Sequence, residues 1–397
     1  MSGRETRLAI VLSHPTQYYS PWFRWLRAET DLAFRVFYLW QFGVQSHRDP
    51  QFQTTFKWDV DLLAGYEHEF VPNTAADPGT HHFRGLRNPT LCGRLATWSP
   101  DAVLLFGYKW ETHLRVIAWA RRRRLRLLFR GDSHLLGRGR PSPLARVLLR
   151  SLYRRFDAFL AVGAANRDYF RAFGVSDSKI FFAPHAVNHT LFDPDRADHQ
   201  SAAREQRVAL GISNDTRVIL FAGKLVPAKQ PRGLLEAFIT LRPQNAALVF
   251  VGDGSEKACL QSMAAAAKCD NVHFLPFTNQ SEMPARYLLA DIFVLPSRGH
   301  YETWGLAVNE AMHMGVPPLV SNLVGCQQDL VTDGETGWVC RVDQPEALGR
   351  KLAESLVDVS TVDKRKRLRK AVTERIARYT YARTTEGLLA ALQASAA

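Results

Sequence analysis

The chain has 397 residues, 46% of them hydrophobic, so it is too long for one compact core and carries apolar material enough for two. No run approaches the roughly 18–20 uninterrupted apolar residues of a membrane span. Five scattered cysteines (Cys92, Cys259, Cys269, Cys326, Cys340), odd in number and without a CxxC pair, exclude a disulfide framework or a zinc ribbon and read as buried free thiols.

The N-terminus, MSGRETRLAIVLSHP, runs straight into a short apolar strand and lacks the apolar region and cleavage site of a signal peptide, so a cytoplasmic protein is expected. Short apolar runs then alternate with amphipathic stretches, the pattern of parallel α/β units. The first half predicts strands over Leu8–Ser13, Phe34–Tyr38, Ala102–Phe106, Arg126–Phe129, Ala158–Val162 and Ile180–Phe182, with helices over Tyr19–Arg27 and Thr112–Arg123. The formal charge of +13 is concentrated here. Between Arg84 and Arg171 there are 19 Lys/Arg against 5 Asp/Glu, or +14 in one window. Residues 121–126 read RRRRLR, and a helix from Leu144 to Phe156 sets Leu144, Val147, Leu148, Leu152 and Phe156 near one face with arginines elsewhere. Two readings stay open for that helix: it lies on an anionic membrane surface, or it packs on its own domain with a solvated basic side. No nucleic-acid-binding module accompanies the charge, and nucleic acid is not expected as a partner.

Residues 184–195, PHAVNHTLFDPD, read as a linker. The pattern then restarts, with strands over Val218–Ala222, Ala247–Val251, Val272–Phe274, Ile292–Leu295, Pro318–Ser321 and Gly337–Cys340. Helices alternate with them over Arg232–Leu241, Glu256–Lys268, Ser281–Leu289 and Gly305–Met314. Two doubly wound sheets in series imply a cleft between domains, with ligands beyond the C-terminal strand ends. The expected division is a domain over residues 1–186, a second over 187–375, and a last segment over 376–397. Its helix, Tyr379–Ala394, is expected to cross back to the first domain.

The segment that carries most chemistry is PSRGHYETWGLAVNEAMHMGVPPLV, from Pro296 to Val320. Glu302 follows a strand, Gly305 opens a helix and Glu310 lies inside that helix. A carboxylate, a helix N-terminus with unpaired N–H groups and a second carboxylate therefore stand in line. A nucleotide sugar has matching parts in that order: sugar hydroxyls, a diphosphate and ribose hydroxyls. This segment resembles glycosyltransferase family 4, whose E-x7-E element stands here as Glu302, Trp304, Gly305, Glu310, Ala311, Met312, Gly315 and Pro317. Trp304 replaces the usual Phe and keeps an aromatic wall.

The resemblance extends outward. LFAGKLVPAKQPRGLL, from Leu220 to Leu235, is similar to the family's diphosphate-contacting segment, with Lys224 where the family has Arg and Lys229 where it has Lys. Both are expected to stabilise charge on the leaving group, Lys224 without the bidentate geometry of Arg. VFVGDG, from Val249 to Gly254, resembles a turn whose glycines let backbone approach the nucleotide, and Phe277 is the candidate base-stacking residue. In Ser321–Trp338, Cys326 replaces the second glycine of the family's usual pair, so no residue role is drawn there. The resemblance thus implies a donor set of Gly223, Lys224, Lys229, Gly252, Phe277, Glu302, Thr303, Trp304, Gly305, Leu306 and Glu310. On the acceptor side, Asp132 and His134 end a strand, and the choice of which one meets the donor sugar stays open. The loop Ser13–Pro21 lacks the family's glycine pair, so His14, Gln17 and Tyr18 are expected to position acceptor instead. The hinge-like Pro184–Phe192 departs from the family pattern at His185 and Ala186.

The resemblance implies the GT-B fold, two Rossmann-like α/β domains facing across a cleft. It implies retaining transfer of a sugar from a nucleotide-diphosphate sugar to a glycan, lipid-linked or other hydroxyl acceptor, in cell-surface polysaccharide or lipopolysaccharide synthesis. Glu302, Lys224, Lys229, Asp132 and His134 are the expected catalytic groups. No cofactor and no metal are expected: Asp59-Val-Asp61 and Asp193-Pro-Asp195 have DxD form but read as a surface segment and a linker. Two other classes remain, a nucleotide-sugar 2-epimerase on the same architecture and a non-catalytic polyanion or sugar-nucleotide binder. The basic 84–171 window adds the expectation of a peripheral position on the inner face of the cytoplasmic membrane.

Overall fold

The computed structural model describes residues 6–44, 47–49, 54–138, 141–298, 302–344 and 346–394. The outer ends of the expected first domain and last segment, residues 1–5 and 395–397, lie outside them, as do residues 299–301 of the Glu302 segment. The first half forms β1 (Arg7–Leu12), β2 (Ala33–Tyr38), a short antiparallel pair β3 (His47–Asp49) and β4 (Thr54–Phe56), β5 (His68–Phe70), β6 (Ala102–Phe106), β7 (Arg126–Arg130), β8 (Ala158–Ala161) and β9 (Ile180–Phe182). The second half forms β10 (Arg217–Ala222), β11 (Ala246–Val251), β12 (Val272–Leu275), β13 (Ile292–Leu295), β14 (Pro318–Ser321) and β15 (Trp338–Cys340). A seven-stranded sheet has the order β5-β2-β1-β6-β7-β8-β9 and a six-stranded sheet the order β12-β11-β10-β13-β14-β15. Both are parallel throughout.

Parallel sheets covered by helices on both faces need strands apolar on both sides. The runs AVLLF in β6 and AALVFV in β11 are buried throughout. Alternation divides each strand between two cores: Ala9 and Val11 face one side of the first sheet, while Leu8, Ile10 and Leu12 face the other. The strand order reverses between β1 and β6 in one sheet, paired Leu8 to Ala102, and between β10 and β13 in the other, paired Ile219 to Ile292. Those switch points put two loop clusters opposite each other.

After the charged helix Val362–Ile376, which buries Leu368, Val372 and Ile376 against the second half, the helix Tyr381–Gln393 lies on the first sheet. Leu388 and Ala391 join the core of β1, Trp22 Nε1 donates to Thr385 Oγ1 at 3.0 Å, and Arg126 holds the Ala391 carbonyl.

Several elements absent from the sequence reading are short or polar, although the helices Leu91–Trp98 and Ala347–Asp358, also absent from it, bury apolar faces. The strand β5 has three residues at a sheet edge, and the helix Ala197–Ala209, beyond the linker-like stretch, buries only His199 and Ala203. All five cysteines are free, but only Cys326 and Cys340 are buried; Cys92 and Cys269 are half-buried and Cys259 is exposed. Cys92 packs at the margin of the core that holds Leu91, Leu95 and Trp98, while Cys259 lies off the face of its helix that buries Leu260 and Ala264.

Candidate active site

Loops following β1, β2, β4, β7, β10, β11, β12 and β13 line one cavity of about 760 Å³. Apart from that of β4, all of these are C-terminal strand ends of the two large sheets, the places where open parallel sheets bind ligands.

The second sheet supplies most of the charge. After β13, Glu302 is followed by Thr303, Trp304 and Gly305, and the helix Leu306–His313 begins. Gly305 has φ 103°, which only glycine adopts at little cost, and a Cβ there would meet Val324 at 2.9 Å. Gly305 offers no side-chain cap, and with Leu306 and Ala307 it lines the cavity, so the first helical turn presents its N–H end to the cavity. Glu302 accepts a hydrogen bond from Lys229 Nζ, and a second from Ser297 Oγ at 3.2 Å. Lys229 closes the short 3-10 turn Pro227–Lys229 after β10, which also brings Lys224 to the cavity wall.

Glu310 reaches the same cavity from within the helix and is 4% exposed. Gln280 Nε2 donates to its Oε1 at 3.0 Å and Tyr287 OH to its Oε2 at 2.7 Å. Burial raises its pKa, and hydrogen bonds from Gln280, Tyr287 and Tyr18 oppose that rise. The glycines after β10 and β11 have a reason beyond ligand approach. A Cβ on Gly252, at φ 136°, would sit 2.0 Å from the Gly223 carbonyl oxygen, so the two strand-end turns pack on each other at the cavity edge.

The first sheet supplies a different wall: Gln17, Tyr18, Phe42, Trp58 and Asp132. Asp132 accepts from Thr303 Oγ1 at 2.8 Å, joining the two halves next to Glu302. Burial alone would raise Asp132, but the nearby His185 ring and the hydrogen bond from Thr303 outweigh it and hold the carboxyl below its usual range. His134 does not line the cavity. Leu136 N donates to its Nδ1 at 3.1 Å, so the ring proton sits on Nε2 and is donated to the Glu302 carbonyl at 3.2 Å. The expectation that His134 faces the cleft is thus corrected: its ring, 1% exposed, is a brace behind the wall, because both nitrogens are taken by main chain. His14 is also not in the lining. It packs edge-on against Trp40 and Phe42, with ring centroids 5.9 and 5.2 Å away, and burial lowers its pKa to about 4. It supports Phe42 as a neutral ring.

Phe277, Thr303, Trp304 and Leu306 also line the cavity, as do Gly223 and Gly252. Sequence reasoning missed Gln280 and Tyr287, which carry no local signal, and noted His185 only as a departure from the family pattern. Asp59 and Asp61 are exposed, as expected of a surface segment, but Asp59 also accepts from the Ser281 hydroxyl and from Ser281 N at 3.3 Å, while Asn279 Nδ2 donates to the Lys57 carbonyl at 2.7 Å. This clasp between the halves flanks Trp58 at the cavity. Asp61 accepts from Leu63 N and Ala64 N in a local turn. Among the described residues, the one cluster with metal-compatible spacing, Asp77, His81 and His82, lies outside the cavity lining.

Comparison with known proteins agrees with this layout. Residues 202–375 match a family model described as glycosyl transferases group 1, and residues 57–186 match one described as glycosyl transferase 4-like domain. A D-inositol 3-phosphate glycosyltransferase of Streptomyces scabiei is 32% identical over 228 residues, 54% of this chain and 49% of that one. A GDP-mannose-dependent alpha-(1-6)-phosphatidylinositol monomannoside mannosyltransferase of Mycolicibacterium smegmatis is 32% identical over 225 residues, 54% of this chain and 57% of that one. The matches thus span about half the length of these curated relatives. Among solved structures, Anabaena Alr3699/HepE in complex with UDP superposes with a TM-score of 0.73 at 16% identity, covering 98% of this chain and all of that one, a likeness of fold.

Proposed function

The chain belongs to glycosyltransferase family 4, and from that premise we propose that it transfers a sugar from a nucleotide-diphosphate sugar to a hydroxyl acceptor with retention of anomeric configuration. The observation that carries this is the line formed by Glu302, the Gly305 helix tip and Glu310 along one cavity, with Lys224 and Lys229 beside it. Carboxylates accept hydrogen bonds from hydroxyls, and a helix N-terminus with lysines attracts a diphosphate. In this reading a diphosphate competes with Glu302 for Lys229, freeing the carboxylate for the sugar. Positioning and electrostatics then carry the rate, with the leaving phosphate taking the acceptor proton. The two lysines meet the developing negative charge, so no cofactor or metal is proposed. Activity undiminished in a chelator is expected, and loss restored by a divalent ion would overturn that part.

The relatives named for inositol phosphate and phosphatidylinositol mannoside support an acceptor that is a glycan or a lipid-linked polyol, in cell-surface glycan synthesis. The test is a screen of nucleotide sugars, UDP- and GDP-linked first, with and without such acceptors. Nucleotide release that depends on acceptor and yields a retained glycoside is expected. Isomerised donor without acceptor, or donor binding with no release, would replace this reading with an epimerase or a binder.

No helix among the described residues is long and apolar enough to cross a membrane, and the proposed location is the cytoplasm, peripheral on an anionic membrane. Support comes from the helix Pro143–Tyr153, which Ser142 caps by accepting from Ala145 N at 3.2 Å. Leu149, Leu152 and Tyr153 pack inward, while Leu144, Val147 and Leu148 stand 69, 65 and 60% exposed beside Arg146, Arg150 and Arg154. An outward apolar row edged by arginines suits a bilayer with acidic headgroups. Flotation with phosphatidylglycerol vesicles is expected for the wild type and lost in L144D/V147D; equal flotation of both would remove the helix from this role.

A further inference from the structure

Where the chain leaves the first sheet for the second, one residue is held from several sides. After β9, buried Arg130 donates from Nη1 to the Ala183 carbonyl at 2.7 Å and from Nη2 to the Pro184 carbonyl at 3.3 Å. Thr384, on the returning terminal helix, also donates to the Pro184 carbonyl, at 2.7 Å. Asn309, in the helix that carries Glu310, donates to the His185 carbonyl at 3.2 Å and accepts from Trp304 Nε1 at 2.8 Å. The backbone of His185 is thus fixed by both halves of the molecule. Its imidazole, 3% exposed, lies between Tyr19 and Trp304, with centroids 6.0 and 5.7 Å away.

The Nε2 of that ring points at Asp132, 3.7 Å from Oδ2, and has no hydrogen-bond partner among the described residues. A buried ring nitrogen without a partner is costly, and a movement of about half an ångström would bring this one to hydrogen-bond distance. The same Oδ2 already accepts from Thr303, next to Glu302.

We infer that His185 is a positioning residue that holds the Asp132 carboxylate from behind the cavity wall, as an N–H donor, so that Asp132 meets the transferred sugar or the attacking hydroxyl in one orientation. The inference rests on the proposed glycosyl transfer for its consequence in turnover, but not for the pairing itself. The charged and titratable groups facing the ring are Arg130, Asp132 and Tyr19. Burial and Arg130 both favour the neutral ring and Asp132 opposes them, with burial prevailing. A neutral ring with its proton on Nε2 is the species that donates to a carboxylate without carrying charge into the interior. The sequence places this histidine where the resembled family has another residue.

The test pairs H185F, which keeps bulk and removes the donor, with H185N, which keeps a neutral donor. In H185F, kcat is expected to fall roughly 10²-fold with little change in donor KM. The acidic limb of its pH–kcat profile should move up by about one pH unit, because a carboxylate without its donor is easier to protonate. H185N should recover part of both. Independently of turnover, NMR with 15N-labelled histidine should show an Nε2–H tautomer for His185 whose shift changes in D132N, a measurement that stands if H185F does not fold. An Nδ1–H tautomer, or a His185 signal indifferent to D132N, overturns the pairing. A folded H185F with an unchanged kcat and pH profile overturns the role. If the wild type transfers no sugar from any donor, the functional proposal fails, and the NMR measurement still decides this one.

Discussion

The two walls of the cavity are built on the same kind of strand end and differ in what they hold. The second-sheet wall carries Lys224, Lys229, Glu302 and Glu310 around a helix tip, whereas the first-sheet wall carries Gln17, Tyr18, Phe42, Trp58 and a single carboxylate, Asp132. A phosphate-bearing ligand demands charges at set distances from backbone N–H groups, which leaves a residue pattern. A variable hydroxyl acceptor demands mainly shape, and aromatic rings supply it from loops with no shared spacing. The contrast predicts that charge removal at the Lys229–Glu302 pair damages chemistry, while changes to the aromatic lining and edges of the first wall alter binding and access.

The largest effect should come from the Lys229–Glu302 pair. E302A and K229A are each expected to lower kcat by roughly 10²–10³-fold with thermal stability near wild type; ordinary turnover in either would break the assignment of chemistry to this wall. E310Q sharpens it further. Glu310 meets donors from Gln280 and Tyr287 deep in the cavity, so the change should raise donor KM by about tenfold and leave kcat nearly intact, the signature of binding made equally in ground and transition states. A matching fall in kcat would instead place Glu310 in the chemistry.

A smaller effect is expected from D59A, which opens the clasp to Ser281 beside Trp58. Loss of one or two exposed hydrogen bonds, about 0.5–1.5 kcal/mol each, should speed donor release by a few-fold in stopped-flow displacement. No change would show that the clasp is incidental to access. The smallest effect on activity is expected at Asp329, which joins the halves by accepting from Ala164 N at 3.0 Å. Burial raises its pKa from 3.8 to about 6, so the folded protein holds that proton more tightly than the unfolded chain. Its contribution is therefore fully present below pH 4 and is lost as pH rises through 6, with a slope of at most about 1.4 kcal/mol per pH unit. D329N should remove that part of the pH dependence of Tm and leave turnover at neutral pH unchanged.

Much of this was legible without coordinates, for reasons that vary with the element. Strands such as β6 and β11 announce themselves because a doubly covered parallel strand is apolar on both faces. The edge strand β5 and the helix Ala197–Ala209 do not, since three residues or two buried side chains are too little periodic signal. In the site, Glu302 and Glu310 were readable because they stand eight positions apart in one local unit. Gln280 and Tyr287 were not, because they reach Glu310 from 30 and 23 residues away.

The sequence by itself determined two parallel α/β sheets, a helix tip between two carboxylates, and a basic first half. Each of these rests on local periodicity or spacing along the chain. Only the tertiary structure decided that Asp132 lines the cavity while His134 braces the Glu302 carbonyl. It also decided that His185 stands behind Asp132, and that Asp59 ties the two halves together. Those outcomes depend on which strand ends face each other and which way each buried ring turns, and both follow from packing between residues distant in the chain.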